Sequence, residues 1–203
     1  MRLAVGPNKK LLEFGLRRAQ GNKYDIIIII LYSIFFLIII ILIIIFLIGP
    51  DGGLSASKYS YIGGFDGSSN VLAGKLTGIA VSGTHAHAFV MTYSNLNELR
   101  STTLNNINGQ QIEFVDLVLQ FRNELGYLST NSGELAAFIA YAQAFPNGLL
   151  CLVDTYDTLQ SGVLNYICVA CALLVLGYIP RGIRLDSGDL SYLSISSRNL
   201  FKS

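Results

Sequence analysis

Residues 26–48 read IIIIILYSIFFLIIIILIIIFLI, an apolar run broken only by Tyr32 and Ser33. No other feature constrains the chain so strongly. A helix needs about 20 predominantly apolar residues to cross a bilayer, and this run is long enough. It is too long for the apolar region of a signal peptide, and no small-residue cleavage site follows it. Arg2, Lys9, Lys10, Arg17, Arg18 and Lys23 cluster before it. The positive-inside rule would hold the N-terminus in the cytoplasm and send everything after residue 48 across the membrane.

The composition argues the other way. Spanning helices are enriched in Gly and carry aromatic belts at their ends. This run is Ile, Leu and Phe, with no Val, Ala, Gly or Trp. Ile, Leu, Phe, Tyr, Asn and Lys all have codons made only of A and T, whereas Val, Ala and Gly codons begin with G. The segment bears the mark of base composition rather than of lipid. If Gly21 is encoded GGT and Ile48 ATA, excision from GT to AG fuses Gly21 and Gly49 into one glycine. Residues 22–48 are therefore expected to be translated intron, transmembrane-like in character. The alternative is a genuine single-pass anchor, and sequencing the transcript separates the two.

Joined across this segment, LLEFGLRRAQG and GPDGGLSASKYSYIGGFDG read as one continuous motif. Three parts follow: 1–21, the start of a substrate-binding segment; 22–48, the insert; and 49–203, an α/β domain. Outside the insert the composition is that of a mixed globular chain, with enough residues to bury one core. A net charge of +1 leaves no basic footprint for nucleic acid. Cys151, Cys168 and Cys171 are an odd count in apolar surroundings, which favours reduced, buried thiols. Cys168 and Cys171 form a CxxC inside NYICVACALLVLGY, where a helix core is the expected role. A redox or zinc site needs an exposed turn or a second ligand pair.

Periodicity and punctuation order the rest. Strands are expected at 10–17, 79–82, 149–153 and 183–185. Helices are expected at 55–61, 68–75, from 87, at 111–125, 132–145 and 161–176, and after Asp189. Alternating strands and helices indicate an α/β fold with right-handed parallel crossovers. Polar residues follow three strands: Thr84, His85 and His87; Asp154 and Thr155; Asp186, Ser187 and Asp189. Carboxyl ends of parallel strands are where α/β sites form, so convergence would set a histidine beside carboxylates.

Several of these residues carry chemistry. His87 can accept a phosphoryl group, take a proton or bind a metal; the plain alternative is an ordinary loop histidine. A metal is the weaker reading, because His85 and His87 lack further nearby ligands. Arg184 is a fork for a carboxylate or phosphate, or else an ion pair with Asp154 or Asp186. Asp186, Ser187, Gly188 and Asp189 can cradle a ribose or Mg²⁺, or cap a helix. Phe14 and Arg17 can sandwich a flat ring, or serve as strand core and surface charge.

LLEFGLRRAQG–PDGG, SASKYSYIGGFDGSSNVLAG, SGTHAHAF, ELAAFIAYAQAFPNGLLCLVDTYDTLQSGVLN and GIRLDSGDLSYLS together resemble nicotinate phosphoribosyltransferase. The likeness covers nearly everything except the insert, the neighbourhood of 95–117 and the last few residues. It implies an irregular α/β barrel of the type II phosphoribosyltransferase kind, here incomplete, in a cytoplasmic homodimer. It implies joining nicotinate to 5-phosphoribosyl 1-diphosphate, giving nicotinate mononucleotide for NAD biosynthesis, with Mg²⁺ and with ATP hydrolysed through a phosphohistidine. That histidine falls on His87, not His85. Thr84 would contact nicotinate, and Arg184 would recognise nicotinate or the sugar phosphate. Phe14 and Arg17 match ring-stacking positions, and Asp186 would orient the ribose or ring nitrogen. Asp154, Ser187, Gly188 and Asp189 complete the implied substrate site.

Family members are longer. They carry an aromatic nicotinate contact before these blocks and a glycine-rich phosphate loop after them. The chain as written is accordingly expected to be inactive and poorly folded. A membrane-anchored, non-catalytic paralogue is the first alternative. It would place the Arg17 segment on the opposite side of the membrane from His87, and the rest of the site away from cytosolic ATP. Nicotinamide phosphoribosyltransferase is the second, and RRAQGPDGG and GTHAHAF favour the nicotinate branch over it.

Overall fold

A computed structural model describes residues 9–15 and 50–202. The expected insert at 22–48 and the candidate Arg17 lie outside the described residues. The chain divides into two units, Met1–Gly83 and Thr84–Ser203, a boundary inside the expected 49–203 domain.

In the first unit, strand β1 (Leu12–Glu13) pairs in parallel with β2 (Gly67–Ser68). Helix α1 (Pro50–Ile62) precedes β2, and α2 (Val71–Thr77) follows it. A buried carboxylate ties three of these elements together. Glu13 Oε2 accepts from Ser57 Oγ of α1 at 2.9 Å and from Ser68 Oγ of β2 at 2.7 Å. Asn70 starts α2 by accepting from the Ala73 amide at 3.1 Å, as capping side chains do. Among the described residues of the expected strand at 10–17, Leu12 and Glu13 pair, and the expected strand at 79–82 reduces to a bridge between Val81 and Ser68. Apolar alternation marks a segment that can pair, while the ladder's length depends on how far a neighbour runs beside it.

The second unit is built on α6 (Val163–Val175), packed against α4 (Phe114–Glu124) and α5 (Ser132–Ala144). Phe114, Val118, Leu135, Phe138, Ile139, Val169 and Leu173 are fully buried between them. The burial of Phe114, Val115, Val118 and Arg122 on α4 follows helical spacing. Arg122 finishes that helix by donating to the carbonyl oxygens of Tyr127, Leu128 and Thr130. Short α3 (His87–Val90) sits ahead of these helices, and α7 (Leu190–Leu200) closes the unit.

The expected helix at 111–125 needs one correction. Its first three residues are β4 (Gln111–Glu113), antiparallel to β3 (Thr103–Asn105). Asn106 Oδ1 accepts from the amides of Asn108 and Gln110, and Gly109 takes φ +82°, so the hairpin turn is an Asx turn. Parallel strands β5 (Leu150–Leu152) and β6 (Gly182–Arg184) flank α6 in sequence, giving a βαβ unit. A π-helical turn, Thr158–Gly162, leads into α6. There Gly162 lies against the Val153 carbonyl, leaving no room for a Cβ. The α/β class is thus present, while the described strands form three separate pairs.

Among the described residues, Thr158–Val175 is the one helix long and apolar enough to cross a membrane, and half of it is buried within the unit. Its apolar character is that of a core helix. Cys168 and Cys171 lie on it as expected, both free, and burial lifts the Cys168 thiol to about 11.

A second buried carboxylate sits inside this core. Glu134 Oε2 accepts from Ser161 Oγ at 2.6 Å and from Asn165 Nδ2 at 3.0 Å. Burial raises its pKa from 4.5 to about 7, against those hydrogen bonds. The folded form therefore holds a proton that the unfolded form releases between pH 4.5 and 7. The resulting stabilisation is full below pH 4.5 and lost as pH rises through about 7. Glu134→Gln is expected to remove that slope, worth about 3 kcal/mol across the window. Urea unfolding at several pH values checks this; an unchanged slope would refute a protonated Glu134.

Candidate active site

Strands β5 and β6 run in register, with Leu152 opposite Arg184, so their carboxyl ends emerge together. Asp154 leaves β5 and clamps the turn after β6. Its Oδ2 accepts from the Asp186 amide at 3.0 Å and from Ser187 Oγ at 2.7 Å, while its Oδ1 is buried without a hydrogen-bond partner. Gly188 at φ +78° turns the chain left-handed. Asp189 then caps α7, accepting from the Tyr192 amide at 3.0 Å. Asp154, Ser187, Gly188 and Asp189 thus build the turn that presents Asp186.

Asp186 is half exposed and lies between two cationic or titratable groups. Its Oδ1 is 3.9 Å from Arg184 Nε, and its Oδ2 is 3.9 Å from His87 Nε2. Arg184 Nη1 also donates to Thr84 Oγ1 at 2.9 Å, and Thr84 Oγ1 donates to the His85 carbonyl at 3.0 Å. Asp186 thus lies within ion-pair distance of Arg184. The other ring nitrogen of His87, Nδ1, is 3.0 Å from Thr155 Oγ1. The His87 ring is 38% exposed and the Arg184 side chain 23% exposed, so both reach solvent.

The two histidines have different environments. His85 packs against the rings of Phe89, Phe138 and Tyr141. Its Nε2 accepts from the Leu152 amide at 3.1 Å, which ties the segment before α3 to β5. Burial lowers its pKa from 6.5 to about 4, and Arg184 and His87 push the same way. His85 is a neutral structural residue, and His87 is the accessible imidazole.

Within the second unit Thr84, His87, Arg184 and Asp186 lie together, with Asp154 holding the Asp186 turn, so that one carboxylate, Asp186, stands beside His87. Phe14 belongs to the first unit, where it is 41% exposed. Thr155, expected only as a strand-end polar residue with no role assigned, stands against His87 Nδ1. Its signal was a hydroxyl one position beyond Asp154 at a strand's carboxyl end. Among the described residues, no cluster of three or more His, Cys, Asp or Glu side chains could hold a metal ion. A half-exposed imidazole between a carboxylate and a hydroxyl, beside a guanidinium, suits nucleophilic work on an anionic substrate.

No protein-family model matches the chain. Curated relatives and a solved structure place it among the phosphoribosyltransferases. Nicotinate phosphoribosyltransferase of Dictyostelium discoideum is 53% identical over 201 residues, covering 99% of this chain and 29% of the relative. Nicotinate phosphoribosyltransferase 1 of Arabidopsis thaliana is 46% identical over 210 residues, covering 98% and 33% respectively. The crystal structure of human nicotinic acid phosphoribosyltransferase superposes with a TM-score of 0.75 at 41% identity, over 99% of this chain and 36% of that one. The chain belongs to the nicotinate phosphoribosyltransferase family, as a partial region spanning about a third of the length of the curated relatives it matches.

Proposed function

We propose that this chain carries the histidine-bearing part of an enzyme that joins nicotinate to 5-phosphoribosyl 1-diphosphate. The products are nicotinate mononucleotide and diphosphate, in NAD biosynthesis. The observation that carries the reading is the chain of contacts Thr84–Arg184–Asp186–His87–Thr155 in a region 53% identical to a protein of that name.

Nicotinate is an anion, and Arg184 offers a planar cation with Thr84 beside it. Asp186 holds both the guanidinium and the imidazole toward one place. His87 is the acceptor of the γ-phosphoryl group of ATP. A ring nitrogen forms the N–P bond while the bond to the bridging oxygen breaks, and ADP leaves with that electron pair. The phosphoryl group adds about two negative charges beside the leaving diphosphate, and its later hydrolysis couples ATP to turnover.

Mg²⁺ suits the donors present. The unpartnered Oδ1 of Asp154 and the half-exposed carboxylate of Asp186 are oxygen ligands. Mg²⁺ typically takes one or two carboxylates and leaves its other positions to water and substrate phosphates. Asp154 and Asp186 would hold it, and when bound it would offset diphosphate charge.

The βαβ unit of β5, α6 and β6 is read as a segment of an irregular barrel wall in a cytoplasmic homodimer. The ring-stacking role of Phe14 and Arg17 is proposed on the family likeness alone. Residues 22–48 are proposed to be translated intron. Reverse transcription across the codons for Phe14 to Tyr61 tests this. A product lacking the insert, with one glycine codon at the junction, is expected; a mature, polysomal transcript that keeps it would favour the anchored paralogue.

The function itself is tested in a chimaera of the Dictyostelium discoideum relative. Its matching region is replaced by residues 1–21 and 50–203 of this chain. Nicotinate mononucleotide synthesis dependent on all three substrates is expected, with loss when 22–49 is restored. A folded chimaera without activity would contradict the reading.

A further inference from the structure

We infer that Thr155 is a positioning residue that fixes the orientation of His87, that Asp186 sets the tautomer of that ring, and that the two histidines are held in opposite tautomers. The part of this inference that concerns phosphoryl transfer rests on the proposed role of His87. The tautomers rest on geometry alone.

A neutral imidazole has one N–H and one bare nitrogen, and its neighbours decide which is which. For His85 the choice is forced. Nε2 is 3.1 Å from the Leu152 amide, a donor only, so Nε2 is bare and Nδ1 carries the proton. For His87 the neighbours reverse it. Nε2 faces the Asp186 carboxylate at 3.9 Å, where a bare nitrogen would set a lone pair against an anion. The proton therefore belongs on Nε2. Nδ1 is then bare, and Thr155 Oγ1 at 3.0 Å donates to it.

The consequence is functional. With the proton held toward Asp186, the nucleophilic lone pair is on Nδ1, and the Thr155 hydroxyl holds the ring by that nitrogen until the reaction begins. A carboxylate on one nitrogen and a hydroxyl on the other repeat the logic by which catalytic imidazoles are oriented elsewhere. Thr155 acts through His87.

The ring nitrogens of His85 and His87 are read by ¹⁵N NMR of the histidine-labelled chimaera, each resonance assigned by its loss in the matching variant, His85→Gln or His87→Gln. The expected spectrum shows His85 protonated on Nδ1 and His87 protonated on Nε2. The His87 Nδ1 resonance should lie where a hydrogen-bonded bare nitrogen falls. Thr155→Val should move that resonance toward the free-nitrogen value and leave His85 unchanged, which reports that the fold is intact. Thr155→Ser should restore it. A His87 proton on Nδ1, or a Val variant with an unmoved resonance, overturns the inference.

In the chimaera, Thr155→Val should slow phosphorylation of His87 about tenfold, with Ser within about threefold of the parent. If the chimaera accepts no phosphoryl group while the tautomers are as stated, the role of His87 fails and the tautomer assignment stands. If His87 is phosphorylated equally fast in the Val variant, the positioning role fails and the phosphohistidine stands.

Discussion

His87→Ala, made in the chimaeric transferase, is expected to abolish acid-labile phosphorylation by ATP and to lower nicotinate mononucleotide synthesis about 10²–10³-fold. The His87 imidazole is the accessible one, beside Asp186 and Thr155, and no other described histidine can replace it. His85 is held in an aromatic pocket with Nε2 engaged by the Leu152 amide. Because the His87 ring is 38% exposed, its removal leaves no large cavity, and thermal stability should change little. His87→Gln should behave like the alanine variant, since an amide hydrogen-bonds but does not accept a phosphoryl group. Retained ATP coupling in either variant would remove His87 from the mechanism.

Arg184→Ala should raise the KM for nicotinate about a hundredfold and leave any use of nicotinamide nearly unchanged. The guanidinium is fixed by Thr84 on one side and Asp186 on the other, so it meets an incoming carboxylate already oriented. That orientation is why Arg184→Lys should recover only part of the loss: an ammonium cannot reproduce the planar fork. The amide substrate brings no charge for the arginine to pair, which makes it the internal control. Equal losses for acid and amide would mean that Arg184 supports the fold around Asp186 and does not select the substrate.

Much of the second unit was legible in the sequence. The apolar stretch ending at Asp154, the helix stopped by Gly177 and the strand running into Asp186 appear as β5, α6 and β6. Their polar ends meet because parallel strands in register deliver their carboxyl ends to one edge. Other features depend on tertiary packing. His85 and His87 stand two apart in SGTHAHAF and look alike in sequence. Only Phe89, Phe138, Tyr141 and the Leu152 amide make one structural and leave the other accessible. Thr155 was visible as a strand-end hydroxyl, but its reach to His87 Nδ1 depends on how α3 meets β5. The three residues of β4 merged into the helical period of α4, since so short an alternation carries little signal against eleven helical residues. The division at Gly83 has no linker composition to announce it.

The most direct test of the account is to locate the phosphoryl group. The chimaera is incubated with ATP labelled in the γ-phosphoryl group, digested under alkaline conditions and mapped by mass spectrometry. The account predicts a label on the peptide carrying His87, stable to base, lost in acid, and discharged when nicotinate and 5-phosphoribosyl 1-diphosphate are added together. An active chimaera whose label sits on another residue, or that couples ATP with His87 never modified, would contradict it.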